Sequence, residues 1–370
     1  MYSEMAKKHA DACRFCWMCR YLCPVGLATG KEVNTPRARG LLVSLDIRGQ
    51  EFDESCAEAM YECCLCGACT HDCVTGYEPP IFIREARTKA VVNELVPAGV
   101  QTVIDSVLNN GNIFSRASSD IKEQLDRLVP DRKETAEVLF YIGGTALVKA
   151  PHIAEAVIRL FKCAGIDYTI LADEPQSGTE LGDLIGYVQE VVDSAKQLAE
   201  QINATKADKI VVLDPSCARV FKQEYPRWGC DLKGEVLTAT AFIAQLIREK
   251  RLLPDKLSIA NATFHDPCKL ARDLDEVLPA REIIAAMGIE IKEMFLNKKM
   301  SKCCGTELLS QYSPVTGRLI AQRRWDDAVR CGAEVMITAC PGCYDVLKSN
   351  APEGKTVEDL FVLLAEACKA

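Results

Sequence analysis

Two runs of four cysteines with one shared spacing lie near the start of the chain, and they constrain its fold more than any other feature. The eight residues are Cys13, Cys16, Cys19 and Cys23, followed by Cys63, Cys66, Cys69 and Cys73. Three cysteines spaced in this way wrap three corners of a [4Fe–4S] cube within one short loop, and the fourth thiolate of a run serves the cube of the other run. The spacing therefore predicts a fold built around two adjacent cubane clusters.

The crossed pattern assigns each predicted cluster its own ligand set. The sets are Cys13, Cys16, Cys19 and Cys73 on one cluster, and Cys63, Cys66, Cys69 and Cys23 on the other. The alternative is a pair of tetrahedral zinc sites, because C-x2-C pairs also bind zinc. Zinc requires two separated pairs, so it leaves the third and fourth cysteines of each run unexplained. Electron transfer is therefore the first functional hypothesis.

Composition limits the remaining classes of protein. The chain has 370 residues, of which 48% are hydrophobic and 26% charged, as in a soluble globular protein of two or three domains. Its net charge of −8 argues against a nucleic-acid binder. Twenty cysteines and the absence of an apolar leader favour a reducing cytoplasmic location over a secreted disulfide framework. No uncharged apolar stretch approaches the ~18 residues of a membrane span, so membrane contact is expected only through a partner.

Residues 1–95 are predicted to form an α-helical ferredoxin-like domain around the two cysteine runs. Between the runs, Thr35 and Pro36 predict the polar cap and the first turn of a helix. Arg37 and Arg39 on that helix either face the negatively charged clusters or lie in solvent. Residues 96–135 carry no recognisable chemistry and are predicted to be a helical connector.

From about residue 136, short β-rich runs alternate with amphipathic segments, which predicts βαβ units and parallel sheets. The amphipathic segments are Ile153–Ala164, Leu181–Gln201 and Leu319–Cys331. The predicted strands are Val138–Ile142, Tyr168–Leu171, Ile210–Leu213, Thr263–His265 and Val335–Thr338. The pattern also repeats, because Phe140, Gly178 and Asp214 align with Phe264, Gly305 and Cys340 at offsets of 124, 127 and 126 residues. Two tandem α/β repeats are therefore predicted, at residues 136–256 and 257–370.

The later repeat carries a second group of cysteines after its predicted strands. The group consists of Cys268, then Cys303-Cys304-Gly305, then Cys340-Pro341-Gly342-Cys343. With these motifs the sequence resembles the CCG family of cysteine-rich domains, found in heterodisulfide reductase B and D subunits and in the iron–sulfur subunits of glycolate or lactate oxidase and of anaerobic glycerol-3-phosphate dehydrogenase. The resemblance covers nearly the whole chain, since two ferredoxin runs followed by two CCG repeats is also the layout of that family.

The resemblance implies that five cysteines hold a noncubane [4Fe–4S] cluster: Cys268, Cys303, Cys304, Cys340 and Cys343. It also implies that Cys303, Cys304 and His265 are catalytic residues if chemistry occurs there. Ends of parallel strands are where α/β sheets gather ligand sites, and five thiolates suit iron and sulfide better than hard metals. One zinc held by four of the five is the alternative. His265 and the following Asp266 orient the site, supply a proton, or are core residues.

The earlier repeat has lost most of these cysteines. Gly144, Gln176-Ser177 and Asp214 stand in the corresponding positions, and only Cys217 remains. One thiolate cannot hold a cluster, so this repeat is predicted to be structural or to serve as a docking surface. The later repeat also departs from the family, because Thr306-Glu307 follows Gly305 where glycines are usual.

Two functions are compatible with this sequence. The first is an electron-transfer subunit that carries single electrons between a partner flavoprotein, a dehydrogenase or oxidase of a 2-hydroxy acid or similar substrate, and the C-terminal cluster or a later acceptor. The FAD is expected on the partner, because no strand–GxGxxG–helix fingerprint is present, and further electron-transfer subunits are expected. The second is a disulfide reductase of the heterodisulfide type, with catalysis at the noncubane cluster. The sequence leaves open whether that site is catalytic or a relay.

Overall fold

The computed structural model describes residues 2–370, and its N-terminal region consists of helices around two cysteine loops. The helices are α1 Glu4–Asp11, α2 Pro24–Thr29, α3 Pro36–Ile47, α4 Glu54–Tyr61, α5 Ala68–His71 and α6 Pro79–Val92. The start of α3 is as predicted, because the Thr35 hydroxyl accepts a hydrogen bond from the Ala38 amide and Pro36 occupies the first turn. Cysteine loops lie between α1 and α2 and between α4 and α6.

The connector predicted at residues 96–135 contains two helices, α7 Ala98–Asn110 and α8 Ser118–Leu128. Helix α7 ends at Gly111, whose left-handed conformation (φ 70°) is the usual glycine C-cap. This pair leads the chain from the helical region to the first parallel sheet.

The first α/β repeat forms a four-stranded parallel sheet in the order β2-β1-β3-β4. Its elements are β1 Val138–Tyr141, α9 Gly144–Lys149, α10 Pro151–Cys163, β2 Tyr168–Thr169, α11 Thr179–Ile185, α12 Gln189–Ala204, β3 Lys209–Val212, α13 Pro215–Arg219, β4 Glu235–Thr238 and α14 Ala239–Arg248. Every residue of β1 is buried, as expected for a parallel strand covered on both faces by helices.

The second repeat forms a three-stranded parallel sheet in the order β5-β6-β7. Its elements are β5 Ala262–His265, α15 Pro279–Ala286, α16 Glu307–Tyr312, α17 Pro314–Arg330, β6 Val335–Thr338, α18 Pro341–Ser349, β7 Thr356–Asp359 and α19 Leu360–Ala367. A parallel bridge between Ala262 and Ile291 lies where β2 pairs with β1 in the first repeat. The two sheets therefore follow one strand order, and the prediction of an α/β fold with two parallel sheets is confirmed.

Two details differ from the sequence prediction. The segment Leu181–Gln201 is two helices rather than one, because the chain breaks at Gly186, where φ is 83° and a side chain would collide with Thr88 of α6. Strands β4 and β7 were not predicted, since each is short and carries acidic residues that weaken the apolar pattern. No helix within residues 2–370 has both the length and the apolar character needed to cross a bilayer.

Candidate metal centres

The first cavity lined by cysteines opens at the surface of the helical region. It has a volume of about 270 Å³, and its walls include Cys13, Cys16, Cys19 and Cys73, the four cysteines predicted to share one cluster. Cys69 also contributes to the wall, and Cys16 is exposed to solvent. The structure thus brings the first predicted ligand set together at a site with an open edge.

The second cavity lies deeper and is lined by Cys23, Cys63, Cys66 and Cys69, the other predicted set. Burial, reinforced by repulsion from neighbouring thiolates, raises the pKa of Cys69 well above its usual range. Thiolates at such a depth require nearby positive charge, which iron ions supply on binding. The donor set and its burial therefore fit a [4Fe–4S] cluster.

Arg39 forms one wall of the second cavity and is 1% exposed. Its guanidinium donates to the carbonyl oxygens of Ala59, at 2.6 Å, and Asn34, at 2.7 Å. Its remaining terminal nitrogen, Nη2, is buried and has no hydrogen-bond partner within the described residues. Arg39 therefore does not lie in solvent, and a buried donor left free beside four thiols suits a negatively charged cluster.

The two cysteine loops share a backbone conformation but not an environment. Phe15 (φ 54°) and Trp17 (φ 70°) are left-handed in the first loop, and Leu65 (φ 48°) and Gly67 (φ 71°) are left-handed at the same positions of the second. Such turns direct successive amide groups towards one point, as cluster sulfurs require. The second loop is largely buried beneath the α/β repeats, whereas the first faces solvent.

The five cysteines of the later repeat meet at a third, fully buried site. Cys268 follows β5, Cys303 and Cys304 precede α16, and Cys340 caps α18 by accepting a hydrogen bond from the Cys343 amide at 3.4 Å. Cys303 lies close enough to Cys268 and Cys304, and Cys343 close enough to Cys304 and Cys340, for these thiols to shift one another's pKa values. Hydrogen bonds from Cys303 and Cys343 lower the pKa of Cys304. This convergence of five soft donors fits an iron–sulfur cluster, which would be held by these five residues.

His265 joins this site through one ring nitrogen and is anchored through the other. Its Nδ1 accepts a hydrogen bond from the Nε–H of the buried Arg324 at 3.0 Å. Burial, followed by the charge of Arg324, lowers the pKa of His265 well below its usual range, so the ring is neutral and its proton resides on Nε2. That nitrogen has no partner among residues 2–370, and the ring offers a ligand atom within 4.8 Å of the sulfurs of Cys304 and Cys343.

The geometry of His265 favours an N–H donor to sulfur over an acid, because a neutral ring with this tautomer holds its proton throughout the physiological range. Asp266 lies outside the site, since its carboxylate receives two bonds from Arg281, at 2.6 and 3.0 Å, and one from the Lys298 amide. Of the three roles considered, orienting the site is the one that the contacts of His265 support.

Replacing Arg324 with methionine is expected to make the midpoint potential of the C-terminal cluster more negative by about 60 mV. Without Arg324 the His265 proton is free to move to Nδ1, so the Nε2–H donor that stabilises the reduced site is lost. The size of the shift follows from the energy of one hydrogen bond, because about 59 mV corresponds to about 1.4 kcal/mol for one electron. Redox titration followed by EPR measures the shift.

Two further variants separate this hydrogen bond from the loss of a charge. His265→Phe should shift the potential in the same direction, and the double variant should shift it no further than the larger single change. Arg323→Met, on the exposed side of the same helix, should leave the potential unchanged. Additive shifts from Arg324 and His265 would contradict the proposed donor.

A π-helical turn, Lys269–Asp273, joins the third site to the second. Within it, Lys269 Nζ donates to the carbonyl oxygen of Leu65 at 2.9 Å, and Arg272 Nε donates to that of Cys66 at 2.8 Å. The thiols of Cys66 and Cys303 lie close enough for each to shift the pKa of the other. The second and third predicted ligand sets are therefore adjacent.

Cys64 lies at the site, although the sequence did not predict it there. Its spacing fits neither ligand set, and a cysteine without partner spacing is expected to be a small buried residue. It lines both the second cavity and the third, and its thiol contacts Cys303. Its position within the second run, directly after a predicted ligand, was the available signal. It adds polarisable sulfur between the two sites.

Three carboxyl groups at the junction of the repeats were also missed. Glu180 and Glu307 line a cavity of about 50 Å³ beside Cys304, and Asp214 lies close enough to both to shift their pKa values. Burial, with repulsion from Asp214, raises the pKa of Glu180 to about 7 and that of Glu307 to about 8. A repeated Gly-Thr-Glu-Leu sequence, at residues 178–181 and 305–308, was the signal, since it gives each repeat a glutamate in the first turn of α11 or α16. Two carboxyl groups that titrate near neutral pH therefore lie beside Cys304, on a wall that Arg87 and Lys269 also line.

The corresponding place in the first repeat is filled by protein groups. The Glu174 carboxylate accepts hydrogen bonds from the amides of Ile142, at 2.8 Å, and Gly143, at 2.6 Å. Ser177 donates to the sulfur of Cys217 at 3.1 Å, which mirrors the contact between Cys304 and Cys343. The arrangement supports a structural role for this repeat.

Comparison with known proteins adds relatives of similar layout. Residues 262–348 match the family model described as a cysteine-rich domain, CCG. The D subunit of the dihydromethanophenazine:CoB--CoM heterodisulfide reductase of Methanosarcina acetivorans is 28% identical, over 96% of this chain and 93% of its own length. The probable iron-sulfur-binding oxidoreductase FadF of Bacillus subtilis is 26% identical, over 82% of this chain and 44% of its own length. The EtfAB:quinone oxidoreductase of Syntrophomonas wolfei is 24% identical, over 90% of this chain and 48% of its own length.

Proposed function

The chain belongs to the iron–sulfur oxidoreductases that carry a cysteine-rich CCG domain, and on that premise we propose that it is an electron-transfer subunit. It carries single electrons between a partner flavoprotein, at the open first site, and the C-terminal site or a later acceptor. The partner oxidises a 2-hydroxy acid or a similar small substrate. The relative named EtfAB:quinone oxidoreductase favours a multi-subunit setting of this kind.

The closeness of Cys66 and Cys303, together with the hydrogen bond from Arg272 to the Cys66 carbonyl oxygen, carries the proposal. The three ligand sets form a series, because Cys69 lines both the first and second cavities, and Cys66 touches the third site. When bound, the clusters supply one-electron redox chemistry. Each site is then adjacent to another site, and the route ends at a buried site.

The surrounding residues hold the ligands, supply positive charge and exclude water. Arg39 lies against the second set, and Arg272 lies between the second and third, where its attraction to Cys66 and Cys268 raises its own pKa against the effect of burial. Lys269 and Arg272 fix the second loop against the π-helical turn. These contacts preset the spacing of the sites.

Anaerobically purified protein tests the proposal directly. We expect about twelve irons and about twelve sulfides per chain, with no stoichiometric zinc, and an EPR signal of the oxidised C-terminal site that differs from that of a cubane. Freeze-quenched EPR after rapid reduction by a viologen should show electrons at all three sites. A Cys163→Ser variant, at an exposed cysteine outside the motifs, is the matched control. About eight irons with one zinc would leave a two-cluster carrier and remove the C-terminal site from the route.

Catalytic disulfide cleavage at the third site is the second candidate. The lowered pKa of Cys304 and the cavity beside it favour this function, as does the name of the relative from Methanosarcina acetivorans. Its test is steady-state oxidation of reduced viologen by a panel of disulfides. Absence of turnover in fully loaded protein would exclude it and leave the relay.

A further inference from the structure

The first cysteine loop carries large apolar side chains in solvent. Phe15 is 49% exposed, Trp17 41%, Tyr21 67% and Val74, beside Cys73, 97%. Trp17, Val74 and Met18 line the first cavity, at which Cys16 is exposed, and Phe15 and Tyr21 belong to the same cysteine loop. Exposed apolar surface of this kind marks interaction sites, and here it lies beside the one predicted cluster with an open edge.

The backbone of this loop supports the same conclusion. Trp17 adopts a left-handed conformation, φ 70°, at the position where the second loop has Gly67, φ 71°. Glycine adopts this conformation without strain, whereas tryptophan does not. The first loop therefore keeps a strained aromatic residue at the position where the second loop has an unstrained glycine. Strain retained at a surface tryptophan indicates a use for the side chain beyond folding.

Arginines hold and flank the aromatic side chains. The guanidinium of Arg37 stacks on the Trp17 ring at 3.9 Å, and that of Arg20 lies 5.3 Å from the same ring centre. From residue 12 to residue 31 the chain has three cations, Arg14, Arg20 and Lys31, and no acidic residue. In the second loop, residues 62–78 include Glu62, Asp72 and Glu78. Glu32, which lies 3.7 Å from Arg20 and also pairs with Arg37, and Asp72, which lines the first cavity, offset part of this charge. The exposed loop therefore keeps a small excess of positive charge on a chain whose net charge is −8.

We propose that this surface, formed by Phe15, Trp17, Met18, Tyr21 and Val74 with Arg14 and Arg20, is the docking site for a redox protein whose exposed cofactor edge is ringed by acidic side chains. Trp17 is the central anchor, since tryptophan and arginine dominate the energy of such interfaces, and the arginines orient the acidic partner. The proposal rests on the electron-transfer function and names the surface at which electrons are exchanged.

Stopped-flow reduction of the cluster-loaded protein tests the proposal. The probe is a reduced flavodoxin, a small acidic protein with an exposed flavin edge, and the second reductant is a reduced viologen, which needs no docking surface. We expect Trp17→Gly, which relieves the backbone strain, to lower the second-order rate constant with flavodoxin about tenfold or more and to leave the viologen rate unchanged. Raising the salt from about 0.05 M to about 0.5 M should slow flavodoxin alone.

Two matched variants test whether the change in rate arises at the docking surface. The double variant Arg14→Ser/Arg20→Ser should reduce the flavodoxin rate and its salt dependence, while Phe295→Gly, at an aromatic residue 93% exposed on the second repeat, should change neither. Iron content and EPR confirm that each variant is loaded. If flavodoxin reduces wild type no faster than Trp17→Gly, the docking site is wrong. If the viologen also fails to reduce loaded wild type, the electron-transfer function itself fails.

Discussion

A Cys304→Ser variant is expected to lose about four of about twelve irons per chain while both N-terminal clusters remain. Cys304 lies between Cys303 and Cys343, and its pKa is lowered by both, so it is the thiolate best prepared to bind iron. Serine is a poor ligand for iron in such a cluster. Iron and sulfide analysis with EPR measures the loss, and disulfide turnover, if the wild type has any, should vanish with it.

The internal repeat supplies the control for this experiment. Cys217 occupies the place of Cys343 in the first repeat and is buried beside Ser177 and Glu174. Cys217→Ser should therefore keep all the irons. Equal iron loss in both variants would mean that the first repeat also takes part in cluster binding. Unchanged iron in Cys304→Ser would instead rule out the predicted C-terminal ligand set.

Replacing Arg39 with methionine should empty the second site and destabilise the helical region. The side chain is buried against four thiols, and removing one partner of a buried charge interaction costs about 3–5 kcal/mol. The carbonyl oxygens of Asn34 and Ala59 also lose their donors. Anaerobic denaturant titration and EPR of the second cubane measure the two effects.

Arg48→Met is the matched control for this substitution. Arg48 follows the same helix, α3, but its side chain is exposed and makes only a long ion pair with Asp11, at 3.8 Å. It should retain every cluster, and its unfolding free energy should change by less than about 0.5 kcal/mol. If Arg39→Met matches it in both measurements, Arg39 has no part in holding the second cluster.

The cysteine motifs were predictable because ligand spacing is a local property of the chain. The spacing grouped Cys23 with Cys63, Cys66 and Cys69, and the structure gathers those four around one cavity. The offset between Phe140 and Phe264 likewise anticipated two sheets of one strand order. That these residues bind clusters remains a prediction, which the iron analysis addresses.

The features that the sequence left undecided depend on tertiary packing. Arg37 and Arg39 lie on one helix with a single residue between them, yet Arg37 pairs with Glu32 at the surface and Arg39 is buried. Nothing local distinguishes them, because the difference arises from where the second cysteine loop packs. The position of Cys64 at the site was not predicted for the same reason, since Cys303, which lies beside it, is far along the chain.

Depth below the surface increases along the three sites, from the exposed Cys16 through the buried Cys69 to the fully enclosed Cys304. Oxygen and peroxide attack iron–sulfur centres from solvent, so clusters bound along this series are expected to decay in air one after another. The cluster at the first loop should bleach first, and the one in the second repeat last. Partial oxidation would then produce a protein that retains its innermost centre but can no longer receive electrons from an external donor.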